Sequence, residues 1–593
     1  MLRALRISTL LLALAAPTIA ATFAVGTAVD GHDATPGNGI CETQTGNGTC
    51  TLRAAVEETS ALGGAQTIDL PAGRYVLSVT GACNGVALCV TGTPTLTVSG
   101  AGATTTIVDA NAASSPPNGF GRVFDVAGGP AVTVTGVTFT NGASQPPFPG
   151  GEAGGIRNAG TLTLSDSVVS NSSGGYGGGL YNTGTLTLLR TIVSGNTALI
   201  SYQAGGGIVN DAGTVTLTHS AFRNNHAGAN GGGIFNTGTM TFNGCEISGN
   251  VSDGTGGGLE NNNFSVATLT NTTVSGNASG SSGGGINLYN SAIVNLNNVT
   301  ITANTSATSN SSGAGGGINN SGATANVKNT IIAGNANVSG GGPDCFGPLT
   351  SQGYNLVGNA ADCTGVGVGT HDLIGVAPQL DALATNSNAS GPTQTHALLL
   401  GSPAIDAGNP ATPGSGGDAC TADDQRGVAR GQTDAGPCDI GAYEAVPRPG
   451  TTTTTTAVSP TSTTTSTTLP MCTAEPTPRT FGSVRCRLDL LLARLGAEPG
   501  LGSLTPKLAQ TVGLARSREA DAEKLCRASN LKKTKKRLQQ CGRALIQYVR
   551  RLKTAKKTDP ALRASLVVDG TSIKDGAKTL RGAVQCPTDA PSA

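Results

Sequence analysis

Between residues 150 and 340 the hydrophobic and polar positions repeat as one unit. Each unit is a glycine run, an aliphatic residue, often an Asn two places on, a Thr-rich stretch alternating polar with apolar, and a closing Ser/Gly-Asn. The aliphatic residues are Ile156, Leu180, Ile208, Ile234, Leu259, Ile286 and Ile318, separated by 24, 28, 26, 25, 27 and 32 residues. Alternation of period two is the signature of a half-buried β-strand, because successive side chains point to opposite faces. Helical repeats of similar length need Leu/Ala-rich segments of period 3.6, and this region has none. A variable period in the twenties, with β-branched strands and glycine corners, predicts one coil of a right-handed parallel β-helix per unit.

Aligning the units on the closing Asn predicts which side chains point inward. One column reads Leu164, Leu188, Leu217, Phe242, Leu269, Leu296, Val327, and another Val169, Val193, Phe222, Ile247, Val274, Ile301, Ile332. Coils stack about 4.8 Å apart, so like falls on like in continuous aliphatic ladders. Asn158, Asn182, Asn210, Asn236 and Asn261 are expected to stack as an amide ladder at a corner. A column of small residues (Ser167, Thr191, Ser220, Cys245, Thr272, Val299, Thr330) makes Cys245 a packed, unreactive thiol.

The pattern changes outside the repeats. Residues 51–61 read as a short amphipathic helix capped by Thr51, with Leu52, Ala55 and Val56 inward. Pro447 to Pro470 is nearly all Thr, Ser and Pro and cannot bury a core; it reads as an extended linker of roughly 70 Å if polyproline-like. Leu488–Leu495, Leu504–Leu525, Leu531–Leu552 and Ala561–Val584 return to helical spacing, with Pro499, Pro506 and Pro560 at breaks. The expected fold class is therefore mainly β, a capped right-handed parallel β-helix followed by a small disulfide-stapled α-helical domain.

Composition sharpens this. The chain has 593 residues with 88 glycines, 3% aromatics and no tryptophan, so a core must come from many small aliphatic side chains in regular array. The overall charge of +1 hides an asymmetry: residues 1–470 hold 12 Lys and Arg against 25 Asp and Glu, whereas residues 471–593 hold 24 against 10. A basic start (Arg3, Arg6), an apolar run from Ile7 to Ala16 and small residues near Ala20 read as a secretory signal peptide cleaved after Ala20 or Ala21. No later run reaches the length of a membrane span, and no cysteine at the cleavage site suggests a lipid anchor. In an exported chain the 14 cysteines should mostly pair, with Cys41–Cys50, Cys83–Cys89, Cys345–Cys363 and Cys420–Cys438 as close neighbours. Cys472, Cys486, Cys526, Cys541 and Cys586 lie in the tail, and none has the CxxC spacing of a zinc site.

Three resemblances follow from these motifs. Gly232-Gly233-Ile234 and Phe222-Arg223-Asn224-Asn225, with SGN variants at 194–196, 248–250 and 275–277, resemble the GGA[IL] and FxxN repeats of polymorphic outer-membrane proteins, a family of β-helical bacterial adhesins. The C-x8-C-T-L-R-A-A-V-E-E run at 41–58, with T-I-D-L-P-A-G-R-Y at 67–75, looks like the CSLREA-type N-terminal region of exported β-helix proteins. Residues 355–444 carry N-L-V-G, D-L-I-G-V-A-P-Q-L, G-S-P-A-I-D-A-G, D-Q-R-G-V-A-R and C-D-I-G-A-Y-E, and resemble the choice-of-anchor Q domain that follows bacterial surface β-helices. The implied organisation is a signal peptide (1–21), an N-terminal cap and first coils (22–100), β-helix repeats (101–345), terminal coils and cap (346–446), linker (447–470) and basic helical domain (471–593). No sortase motif, apolar tail or autotransporter barrel follows the linker.

Pectate lyases and polygalacturonases share the parallel β-helix, and chemistry of their kind should appear as carboxylates in the same or neighbouring columns of successive coils. Hydrolysis needs two carboxylates about 5–9 Å apart, and elimination needs acidic Ca²⁺ ligands with an Arg or Lys base. Asp166, Asp211, Glu246, Asp253 and Glu260 each stand alone in the alignment. Asp166, Arg190 and His219 share an outward corner column on three coils; this stripe would orient a sugar or pass a proton, or more blandly form a solvated ion pair. Tyr176, Tyr181, Tyr202, Phe235 and Tyr289 are candidates for sugar stacking or corner packing. Asp418, Asp423, Asp424, Asp434 and Asp439 suggest Ca²⁺, the sole cofactor hinted at, although Asp424 with Arg426 reads equally as a structural pair. His371 and His396 read as turn residues, and the Asn-x-Ser/Thr matches as by-products of composition.

The tail offers a basic face from Lys532, Lys533, Lys535, Lys536, Arg537, Arg550 and Arg551, continued by Lys553, Lys556 and Lys557. It fits an acidic surface polymer, lipid head groups, or the acidic body of the same chain, and lacks the motifs of a specific nucleic-acid binder. The expectation is a secreted or cell-surface protein. It binds a surface glycan or a host or matrix macromolecule through the β-helix side, and its basic tail tethers it to an acidic envelope. A polysaccharide lyase or glycoside hydrolase acting on a polyuronate or related glycan is the alternative, and a purely structural exoprotein a third.

Overall fold

The computed structural model describes residues 20–79, 88–110, 120–144, 152–199, 204–307, 315–367 and 371–445 except 387, 389, 400 and 432–435, then 504–527, 530–554 and single positions between 484 and 581. The expected signal peptide up to residue 19, the linker 447–470, Cys83, Tyr202, Asp434, Lys556 and Lys557 lie outside the described residues. The chain forms two compact units, Met1–Thr452 and Thr453–Ala593.

The first unit is a parallel β-solenoid of about nine turns. Each regular coil supplies four short strands, for example Ile156–Asn158, Thr161–Ser165, Val168–Ser170 and Ser173–Gly174. Stacked coils build sheets of 12, 12, 11 and 9 strands. Register never slips in the 12-stranded sheet that contains Thr161–Ser165, where Leu164, Leu188, Leu217, Phe242, Leu269, Leu296 and Val327 follow one another. All seven are at most 2% exposed, as the alternation requires. Burying each contributes about 1.5–3 kcal/mol, so the core is a sum of equal small steps along the axis. One described pair runs antiparallel, Ala143–Ser144 against Phe120–Gly121 near the first coils.

Two amide ladders hold the corners. The expected one runs Asn158→Asn182→Asn210→Asn236→Asn261 with N···O distances of 2.7–2.9 Å. A second, seen in sequence only as the Asn closing each unit, runs Asn196→Asn225→Asn250→Asn277→Asn304→Asn335 and ends on Asp344. Each of its amides from Asn196 to Asn335 also donates to a core-strand carbonyl, as Asn250 does to Phe222 O at 3.0 Å. Along this second ladder the side-chain amides are matched where the chain turns inside the core.

Helix α1, Leu52–Leu62, covers the first coils. Thr51 Oγ1 caps it by accepting from Ala54 N at 3.1 Å. The charged residues of the L-R-A-A-V-E-E run bind the preceding loop: Arg53 pairs with Asp30 at 2.8 Å, Glu57 accepts from Asp33 N, and buried Glu58 accepts from the amides of Gly37 and Gly39. Burial alone would raise the Asp30 carboxyl; bonds from Arg53 and from the amides of Val79 and Ser78 outweigh it and hold it low.

The far end is irregular. Coil strands continue to Leu373–Ile374, and the described residues of 376–445 add no further coil strand. They lie as a strap along one side of the solenoid, bonded to outward residues of successive coils. Thr273 Oγ1 donates to Gln425, Asn271 Nδ2 to Asp423 O, and the amides of Thr421, Ala442 and Asn409 donate to Asn298, Thr300 and Asn329. The strap reaches back to Glu246, which accepts from Gln394 N at 2.6 Å, and to Arg223, which donates to Pro392 O. Pro378, Pro392 and Pro403 lack the amide hydrogen that another ladder strand would need, whereas the polar residues of this side supply partners to an irregular segment.

The second unit contains α2, Thr505–Arg527, and α3, Leu531–Thr554. Thr534, Leu538, Cys541, Leu545, Tyr548 and Leu552 make the buried stripe of α3, packed with Leu508, Val512, Ala515 and Ala522 of α2. Among the described residues no helix is long and apolar enough to cross a membrane.

Three expected disulfides form, Cys41–Cys50, Cys345–Cys363 and Cys420–Cys438, and Cys89 is also disulfide-bonded. Cys526 is bonded, whereas Cys541 is a free buried thiol. Cys245 is likewise free and buried, its thiol pushed by burial to about 12.

Candidate functional site

The sheet that begins each coil presents the middle residue of its three-residue strands outward. In register these are Asp125, Arg157, Tyr181, Val209, Phe235, Glu260, Asn287 and Asn319. From Val209 onward the glycine run of each coil folds over this column. Gly231, Gly256 and Gly283 lie so close to Phe235, Glu260 and Asn287 that any Cβ would collide, and all three have positive φ. Val209 and Phe235 are buried beneath them.

Toward the first coils the column instead carries a cluster of charge and aromatic rings. Arg122 bridges Asp125 at 2.5 Å and Glu152 at 2.9 Å, and Arg157 reaches the other oxygen of Asp125 at 3.3 Å. Tyr181 donates to Asp211 at 2.6 Å, and its ring lies 6.4 Å from that of Tyr176, which is 39% exposed. Burial, then Asp211 and Glu152, raise the Tyr181 phenol far above its ordinary value, so it remains a proton donor. Arg122 and Asp125 are buried and fix the floor, whereas Arg157, Glu152 and Tyr176 keep part of their surface in solvent. A guanidinium, a carboxylate and a ring face on a rigid floor are the groups that orient a saccharide. The alignment missed this cluster because Arg122 and Glu152 precede their strands and Asp211 follows its own. Tyr176, Tyr181 and Asp211 were legible singly, but not their convergence.

The corner stripe forms around an exposed ion pair. Asp166, Arg190 and His219 all take left-handed φ near +48°, and Arg190 grips Asp166 with two bonds of 2.6 Å. That bond holds the Asp166 carboxyl low and raises Arg190. His219 is half-buried under Gly391 of the strap, and burial and then Arg190 lower its pKa. Arg190 thus stands beside both Asp166, which it holds as an ion pair, and His219. Glu246 is not solitary: buried, it binds Arg223, Ser248 and the strap. Glu260 is also paired, by Thr255 at 2.8 Å and Asn287 at 2.9 Å, and burial raises it to about 7.

Among the described acidic residues of the strap, Asp424, Asp439 and Glu444 gather around the Arg430 guanidinium. Asp424 takes the guanidinium of Arg426 at 2.6 Å and three backbone amides, Asp418 lies 3.5 Å from Lys328, and Asp439 accepts from Asp406 N and Ala445 N. Among the described residues no three His, Cys, Asp or Glu side chains gather as a metal site. His396 bridges Asp381 O and Ser275, and His371 stacks on Tyr354 at 4.9 Å.

On α3 the basic residues separate into two faces. Lys532, Lys536 and Arg550 point to solvent, as do Lys533 and Lys535. Arg537 lies 3.6 Å from Asp521, and Arg551 donates to Lys507 O and Thr511 of α2. A groove of about 360 Å³ runs beside the solvent face, lined by Gln539, Arg543, Ile546, Lys574, Lys578 and Arg581. Four cations beside an exposed isoleucine suit an acidic ligand, and all four lay outside the lysine runs that marked the tail in sequence.

No family, curated protein or solved structure matches this chain.

Proposed function

We propose that this chain is an exported, cell-surface right-handed parallel β-helix. In this reading it binds a surface glycan, or a host or matrix glycoconjugate, through the side of its first coils. The cluster of Arg122, Asp125, Glu152, Arg157, Tyr176, Tyr181 and Asp211 carries the reading. Its carboxylates are tied to arginines or to a tyrosine, an arrangement suited to holding a sugar and poorly suited to protonating a leaving group. Disulfides support an oxidising compartment. The resemblances to CSLREA-type and choice-of-anchor Q regions support surface display. The cationic groove beside α3 favours a second, tethering role toward an acidic envelope polymer.

The test is binding of the purified protein to immobilised polyuronates and neutral glycans, with unsaturated product and new reducing ends followed in the same samples. Arg157→Ala and Tyr176→Ala should each weaken retention on the bound glycan at least about tenfold, or about 1.4 kcal/mol. Turnover of any glycan would overturn the reading in favour of a lyase or hydrolase. Retention unchanged in both variants would remove this cluster as the site.

A further inference from the structure

A different face carries a second pattern. In the 12-stranded sheet that contains Thr161–Ser165 the outward residues of four successive coils form Thr-x-Thr pairs beginning at Thr161, Thr185, Thr214 and Thr239. The pairs stack in strict register. The second column extends both ways, an unbroken line of eight threonines from Thr67 to Thr268. Strand geometry sets the hydroxyl lattice at about 6.6 Å along each strand and about 4.8 Å between coils.

Among the described residues, the hydroxyls of these four pairs find no hydrogen-bond partner in the chain. The inward side of the same strands is fully packed, with Leu162, Leu164, Leu186, Leu188, Val215 and Leu217 at most 1% exposed, so the lattice is rigid. Threonine is stiff at χ1 and places one methyl and one hydroxyl at every point. From Thr95 to Asn326 neither column contains a charged or aromatic residue; the replacements are Ala, Val, Ile and Asn. Among the described residues, the strap's hydrogen bonds to the strands of this sheet fall in its third column, at Asn297 and Lys328.

A repeating face selects a ligand that repeats. Without cations it offers nothing to an acidic polymer, and without rings it offers no stacking surface for sugar. An uncharged lattice of hydroxyls and methyls matches a solid made of hydrogen-bonded water. Hydroxyls replace lattice waters, methyls sit between them, and the preformed backbone leaves little order to be acquired on binding. We infer that the Thr-x-Thr face binds ice.

The test uses the full chain in dilute solution from which ice is grown slowly on a cold probe. The fraction carried into the ice and the rate of ice recrystallisation are both measured. The wild type should enter the ice and slow recrystallisation, as should Val251→Lys on a different sheet. Thr187→Lys with Thr216→Lys should lose both properties at least about tenfold. Thr187→Ser with Thr216→Ser keeps the hydroxyls, removes the methyls and should lose them partly, with far-ultraviolet circular dichroism unchanged. Exclusion of the wild type from ice would overturn the inference, as would full activity in the lysine double variant. Retention on crystalline cellulose or chitin with exclusion from ice would assign the face to polysaccharide instead.

Discussion

Replacing Asn250 by Ala isolates what one rung of the inner amide ladder contributes. Asn250 is fully buried, and its Oδ1 accepts from Asn225 N at 3.0 Å and from Asn225 Nδ2 at 2.9 Å. Its Nδ2 donates to Phe222 O at 3.0 Å and to Asn277 Oδ1 at 2.9 Å. Alanine removes all four bonds, but the damage is uneven. Asn225 Nδ2 keeps Val193 O, and Asn277 Oδ1 keeps the amide of residue 250. The Asn225 amide hydrogen loses its acceptor in a dry corner, and Phe222 O loses a donor. At about 1–3 kcal/mol for each buried group left unmatched, plus a small cavity, the expected loss is roughly 3–5 kcal/mol. Asn158→Ala is the comparison: Asn158 begins the other ladder, its Oδ1 already lacks a partner, and its removal should cost roughly 1–2 kcal/mol. Urea unfolding of both variants and the wild type, followed by far-ultraviolet circular dichroism, compares midpoints at a common slope. An Asn250→Ala variant within about 1 kcal/mol of wild type would refute this view of the ladder, as would equal losses in the two variants.

Other consequences are open to direct measurement. Burial raises Glu260 from 4.5 to about 7, so the folded chain retains a proton that the unfolded chain releases. The associated stability is complete below about pH 4.5 and is lost as pH rises through 7. Glu260→Gln should flatten this slope and gain roughly 3 kcal/mol at pH 8, read from thermal unfolding across pH. Arg430 is buried among Glu444, Asn271 and the carbonyls of Asp439 and Gly441. Arg430→Ala should cost about 3–5 kcal/mol and expose the strap to protease, with cleavage mapped to 376–445. Cys245 and Cys541, both buried and both pushed to about 12, should resist alkylation at pH 8 until denaturant unfolds the unit that holds each.

The repeat, its inward columns and the first amide ladder were determined by sequence alone. Period-two alternation is a local property, and translation along a solenoid converts it directly into a three-dimensional column. The cap of α1 at Thr51 was legible for the same reason: a hydroxyl before an amphipathic run needs only the next turn to act. The role of the second ladder was hidden because an Asn closing each unit reads equally well as a turn residue, and only closure of the coil buries it.

Tertiary structure decided what crosses between coils sideways. Arg122 meets Glu152 across 30 residues, and Thr273 meets Gln425 across 152. Neither contact follows from a period, because loops of unequal length set which side chains converge. The strap's path depended likewise on polar partners laid out by several coils at once. Sequence determined the lattice, whose repeat is built into the strand, and the folded chain decided which parts of that lattice are covered and which are left open to a ligand.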